Sequence, residues 1–224
     1  MKIPAGSDVL DGLLNGGYST GMLNTIYGPA ASGKTTCCLL ATIACYKSGK
    51  KTVFIDTENG FSVERLRQLT PDFKDVLDFV ILLKANSFSE QKKKFGFLEM
   101  LFPNPRIGLI CVDTIGAQYR AARKGDVKAI NQELAEQIDI LREIYKGSDT
   151  LVLITDQVYA DLEDKNKESF KLVGGELIRN RSRNIIQLQN LHKNKRKAIL
   201  EKTPESKELR EVVFEIREKG FVKI

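Results

Sequence analysis

Histidine is almost absent from this chain: His192 is the only one, and the four cysteines, Cys37, Cys38, Cys45 and Cys111, form neither a CxxC pair nor any other metal-ligand spacing. That excludes a zinc cluster and a disulfide framework as organising elements. The apolar surroundings of the cysteines predict small buried hydrophobes instead. Long hydrophobic runs are missing too: no stretch approaches the roughly 18 uncharged residues of a membrane span. The opening Met1-Lys2-Ile3-Pro4-Ala5-Gly6 has no apolar core of the kind a signal peptide needs. A cytoplasmic protein is expected. Internal repeats and low-complexity tracts are also absent.

What remains is ordinary in bulk. A length of 224 residues, 42% hydrophobic and 29% charged, suits one globular domain with a substantial core and argues against disorder. The net charge of +6 would serve a polyanionic partner only if it is concentrated somewhere.

Apolar, β-rich runs at Leu23–Tyr27, Thr52–Asp56, Phe79–Leu83, Ile107–Asp113 and Leu151–Thr155 alternate with helical patterns near 34–47, 62–69, 90–101 and 127–146. This alternation predicts an α/β fold, a mostly parallel central sheet with helices on both faces. Beyond residue 183 the pattern changes to short strands near Arg183–Gln189, Lys197–Glu201, Glu211–Ile216 and Phe221–Ile224, joined by turns too short for crossover helices. A C-terminal antiparallel extension follows. The polar stretch from Tyr159 to Ser169 reads as a mobile loop.

The strongest chemical signal is Gly28-Pro29-Ala30-Ala31-Ser32-Gly33-Lys34-Thr35, placed between a strand and an apolar helix that opens Lys34-Thr35-Thr36. This is the context a P-loop requires. Glycines at 28 and 33 let successive backbone N–H groups turn inward on phosphate oxygens at a helix N-terminus. Lys34 would reach the β- and γ-phosphates of ATP, and the Thr35 hydroxyl would ligate Mg²⁺. Asp113 ends a run of six other residues without a charge, which is costly unless a cation or donors meet it. It is the candidate for the magnesium shell, through water; a plain helix cap is the competing explanation. Glu58, just beyond another strand, is the candidate for activating water, with a solvated loop carboxylate as the alternative.

Three further motifs, Phe54-Ile55-Asp56-Thr57-Glu58-Asn59, Glu64-Arg65-Leu66 and Ile154-Thr155-Asp156-Gln157-Val158, occur in this order around the P-loop. Together they make the chain resemble the RecA/RadA recombinase family over nearly its whole length. The resemblance implies a RecA-like ATPase core, with Glu58 as catalytic glutamate, Arg65 packing on adenine and Gln157 sensing γ-phosphate. It implies a mobile DNA-binding loop at 158–175. It also implies work in homologous recombination and DNA repair beside the main recombinase RadA, with a Holliday-junction resolvase as a second partner. Departures from the pattern point to an accessory role with weak ATPase activity. The docking motif that links RadA protomers is not found, so a small homo-oligomer is expected rather than a long filament. Asp156 stands where recombinases usually carry asparagine, which sets a negative charge near phosphate unless a cation pairs with it. A DNA-dependent strand-exchange ATPase, and a KaiC-like P-loop ATPase that does not act on DNA, remain the alternatives.

The positive charge concentrates between Arg179 and Lys197, where Arg179, Arg181, Arg183, Lys193, Lys195, Arg196 and Lys197 occur without a single acidic residue. On one face they would bind single-stranded DNA through its backbone, without reading sequence. The absence of aromatics there argues against a base-stacking platform. Tyr119, Arg120 and Arg123 are candidates for a further DNA contact.

Overall fold

The structure, a computed structural model, describes residues 1–123, 126–160, 170–172, 175–206 and 208–224. Its centre is one large sheet. The strands β3 (Leu23–Gly28), β4 (Lys51–Asp56), β5 (Val80–Lys84), β6 (Ile107–Asp113), β7 (Leu151–Ala160) and β9 (Asn184–Asn190) pair in parallel, in the order β9-β3-β7-β6-β4-β5. β10 (Lys195–Lys202), β11 (Arg210–Arg217) and β12 (Gly220–Lys223) then add antiparallel strands beyond β9. A separate two-stranded sheet joins β1 (Lys2–Ile3) to β2 (Tyr18–Ser19).

Alternation along the strands builds two cores. Phe54, Leu109, Cys111 and Leu153 face one way, against α1 (Asp8–Leu13) and α2 (Lys34–Lys47). Their neighbours Val53, Ile55, Ile110, Val112, Val152 and Ile154 face the other, against α5 (Phe88–Leu101) and α7 (Val127–Gly147). Strands buried on both faces read as continuous apolar runs for this reason. The α7 stripe is the expected one: Leu134, Ile138, Leu141 and Ile144 are buried, while Ile130 is half-buried against them. All four cysteines are buried and free. Among the described residues no helix is long and apolar enough to cross a membrane.

The differences from the sequence expectation lie at element ends and in short elements. Asp126, Ser87 and Ser62 cap α7, α5 and α3 (Val63–Leu69), each accepting from a backbone N–H in the first turn. The Ser87 cap starts α5 at Phe88 rather than near residue 90. Four short helices outside the expected set, α1, α4 (Phe73–Asp78), α6 (Gly116–Ala122) and α8 (Gly175–Arg181), fall below the length at which periodicity is legible. β7 continues past Thr155 to Ala160, where it pairs antiparallel with β8 (Phe170–Leu172). Of the segment 158–175 expected as a mobile DNA-binding loop, residues 161–169 and 173–174 lie outside the described residues.

Candidate nucleotide-binding site

Gly28 ends β3 and pairs in register with Gln157 of β7, while Asp56 of β4 pairs with Asp113 of β6. Parallel register therefore sets four motif positions along one edge of the sheet, at the carboxyl ends of the strands. A cleft of about 320 Å³ opens there, lined by the loop from Ala30 to Thr36 together with Glu58, Asp113, Gln157 and Ile216.

The two loop glycines are needed for different reasons. Gly33 has φ +106°, open only to glycine without strain, and it carries the chain directly into α2. Gly28 needs no special φ; a Cβ there would sit 2.5 Å from the Leu188 carbonyl oxygen of β9. Close strand packing, not curling, is what excludes a side chain at Gly28.

Donors and acceptors in the cleft fit a phosphate and its cation. Lys34 is buried, and its Nζ donates to the carbonyls of Gly28 and Pro29 at 2.9 and 2.8 Å, at the start of the loop. Burial lowers its pKa, opposed chiefly by the carboxylates of Asp113 and Glu58. The Ser32 hydroxyl is buried with no hydrogen-bond partner among the described residues, the kind of orphaned group that an oxyanion would satisfy. Thr35 Oγ1 donates to Asp113 Oδ2 at 2.6 Å, and Thr155 Oγ1 donates to Asp113 Oδ1. Burial raises the Asp113 pKa, and those two hydroxyl donors pull it back. A hydroxyl and a carboxylate in contact, with the loop N–H groups beside them, are an arrangement suited to Mg²⁺.

Glu58 reaches the cleft on a turn that Asp56 organises by accepting from the backbone N–H groups of Glu58, Gly60 and Phe61, at 3.2, 3.0 and 3.1 Å. Its carboxylate accepts from Gln157 Nε2 at 2.5 Å and from Thr114 Oγ1 at 3.1 Å. Asp56, Thr114 and Thr155 escaped the sequence reading. Their only signal was polarity at the end of a buried strand.

Arg65 is not part of the cleft lining. It donates to the carbonyls of Arg217 and Glu218, at 2.8 and 3.0 Å, and so clasps the turn between β11 and β12. The same two strands carry Ile216 and Phe221, which cover Gly33.

Among the described residues Asp156 pairs with no cation, although its expected charge would have required one. It is fully buried; Oδ1 accepts from the Gln157 N–H at 2.9 Å and Oδ2 has no partner. Burial pushes its pKa well above the ordinary carboxylate range, so the acid is held toward its neutral form. A folded-state pKa above the unfolded value of about 3.9 means that stability is lost as pH rises from there towards the folded value. Asp156→Asn is therefore expected to melt higher than wild type at neutral and alkaline pH. Thermal melts across a pH series check this: the gap should close towards pH 4, and a pH-independent gap would rule out ionisation as the cause.

The basic segment is not one face. β9 carries the chain across the sheet, leaving Arg179, Arg181 and Arg183 at one end and Lys193, Lys195, Arg196 and Lys197 at the P-loop end. Several of these charges are already engaged by acids of other elements: Arg179 with Glu201 at 3.2 Å, Arg181 with Asp139 at 2.6 Å and Lys197 with Glu211 at 3.1 Å. Arg196 Nε donates to the Ala31 carbonyl at 3.1 Å, bracing the P-loop. Tyr119 is also removed from the DNA candidates. It is buried and its hydroxyl donates to Asn131 Oδ1 at 2.6 Å, with Arg123 over its ring.

Strand order and cleft together place the chain among the RecA-like P-loop proteins. Residues 1–224 match the Rad51 family, and the chain belongs to it. It is 35% identical to DNA repair and recombination protein RadB of Methanobrevibacter smithii, over 99% of this chain and 95% of that protein. The RadB of Thermococcus gammatolerans is 36% identical, over 98% and 97%. A crystal structure of the RadB recombinase superposes with a TM-score of 0.83 at 31% identity, covering 99% of both chains.

Proposed function

We propose that this chain is an ATP-binding and DNA-binding accessory protein of homologous recombination and DNA repair, with weak ATPase activity that modulates a main recombinase. The observation that carries the reading is the Glu58 carboxylate at the mouth of the P-loop cleft, hydrogen-bonded to Gln157. The names of the relatives, DNA repair and recombination protein RadB, supply the biological setting.

In this reading the loop N–H groups from Ala30 to Thr35 and the Lys34 ammonium bind the phosphates of ATP, with Thr36 at the rim. Thr35 and Asp113 would hold Mg²⁺, Asp113 through water; the cation, when bound, neutralises charge that develops on the phosphates. Glu58 orients and deprotonates the attacking water. Gln157 must give up part of its bond to Glu58 to contact γ-phosphate, and because it lies in β7 that exchange reports nucleotide to the segment beyond. The N–H groups of Arg65 are engaged by the β11–β12 turn, so its planar face is what it offers to adenine. The proposed partners are single-stranded DNA bound without sequence preference, RadA and a Holliday-junction resolvase, with the protein acting as a small homo-oligomer in the cytoplasm.

Single-turnover hydrolysis with and without single-stranded DNA tests the reading. Slow turnover with little stimulation is expected. Strong stimulation would instead indicate a DNA-driven strand-exchange ATPase, and hydrolysis without any DNA binding would indicate a KaiC-like protein.

A further inference from the structure

The end of the sheet opposite the P-loop carries a second charged cavity. α7 and α8 both finish there, beside the turn that leads into β3, and they enclose about 300 Å³ lined by Arg142, Tyr145, Lys146, Asn180, Arg181 and Arg183. β3 spans six residues, which sets this cavity about 20 Å from the phosphate loop. It is a separate place, not a wing of the ATP cleft.

Cations at helix C-termini favourably meet the helix dipole, and α7 and α8 account for some of the charge in that way. The excess is larger than this explains. Asp139 engages Arg181, and Glu201 engages Arg179 close by. Among the described residues no carboxylate pairs with Arg142, Lys146 or Arg183. Lys202, whose ammonium donates to the Arg179 carbonyl at 2.9 Å, has its pKa lowered by burial and then by Arg183 and Arg179. Tyr145 stands among the guanidinium groups of Arg142, Arg181 and Arg183, which counter the upward push of burial on its phenol. Like charges gathered around a concave surface, with planar guanidiniums and a phenolic donor, suit the oxygens of phosphodiesters.

Resting on the DNA-binding reading above, we propose that this cavity is a phosphate-backbone subsite for single-stranded nucleic acid, with Arg142, Lys146 and Arg183 as its contacts. It lies apart from the P-loop and from the Lys193–Lys197 hairpin. The lack of a stacking aromatic other than the crowded Tyr145 makes it blind to base identity.

Fluorescence anisotropy with labelled oligo(dT) over a salt series tests it. The variants are Arg142→Gln/Arg183→Gln, Lys146→Gln alone, and Lys193→Gln/Lys195→Gln as the hairpin comparison. Each lost contact should flatten the slope of log affinity against log salt by about 0.7, so the double pocket variant should lose about 1.4. ATP affinity should stay at the wild-type value, which also reports that the fold is intact, and the milder Lys146→Gln should flatten the slope by half as much. A pocket variant with an unchanged slope, beside a hairpin variant whose slope falls, overturns the subsite and leaves DNA binding standing. No salt-dependent binding by wild type overturns both. If millimolar inorganic phosphate, at constant ionic strength, displaces oligo(dT) from wild type but not from the pocket variant, the cavity takes free phosphate and the backbone assignment fails.

Discussion

Glu58→Gln is expected to slow single-turnover ATP hydrolysis by about 10²- to 10⁴-fold, the range general-base catalysis contributes, while leaving ATP affinity within a few-fold of wild type. The amide keeps the shape of the carboxylate and can still accept from Gln157, so positioning survives and only proton acceptance is lost. The bound phosphates are held by the loop N–H groups and Lys34, none of which the substitution touches. Quenched-flow hydrolysis and equilibrium titration of a fluorescent ATP analogue separate the two effects. Loss of binding in parallel with hydrolysis would make Glu58 a ligand-holding residue; unchanged hydrolysis would return it to the class of solvated loop carboxylates.

The second large effect is expected at Phe214, far along the chain from the P-loop. Its ring is fully buried in β11, packs against Phe221 with centroids 4.6 Å apart, and belongs to the same core as Cys37, Cys38 and Leu39 of α2. Phe214→Ala should destabilise the protein by about 3–5 kcal/mol, from lost transfer free energy plus the cavity left behind. Urea unfolding measures it directly, and Phe214→Leu, which keeps most of the volume, should cost clearly less. Ile216 and Phe221 cover Gly33 from these same strands. Weaker ATP binding should therefore accompany the loss of stability. An alanine variant as stable as wild type would mean that the antiparallel strands are an appendage rather than part of the core.

Much of the fold could be read in advance because its signals are local. The runs at Thr52–Asp56 and Ile107–Asp113 are strands buried on both faces, and such strands show no alternation to misread. The short α1, α4, α6 and α8 were not legible, since six or seven residues do not establish a helical period. Asp156 shows a different limit. Its identity suggested a charge, yet the free energy of ionisation is set by what surrounds it, and β7 buries it with no cation paired to it among the described residues.

The sequence by itself determined the phosphate loop, because that site is made by backbone N–H groups in eight consecutive residues running from a strand into a helix. It also determined that acids at the ends of two other strands would meet it, since parallel pairing brings carboxyl ends to one edge. Only the tertiary structure decided that Thr155 and Thr114 serve Asp113 and Glu58, and that Arg65 clasps a turn some 150 positions later. It alone divided the basic segment between opposite ends of the sheet. Charge adjacent in sequence is carried apart by an extended strand, and the acids and cations that meet it arrive from other helices and strands.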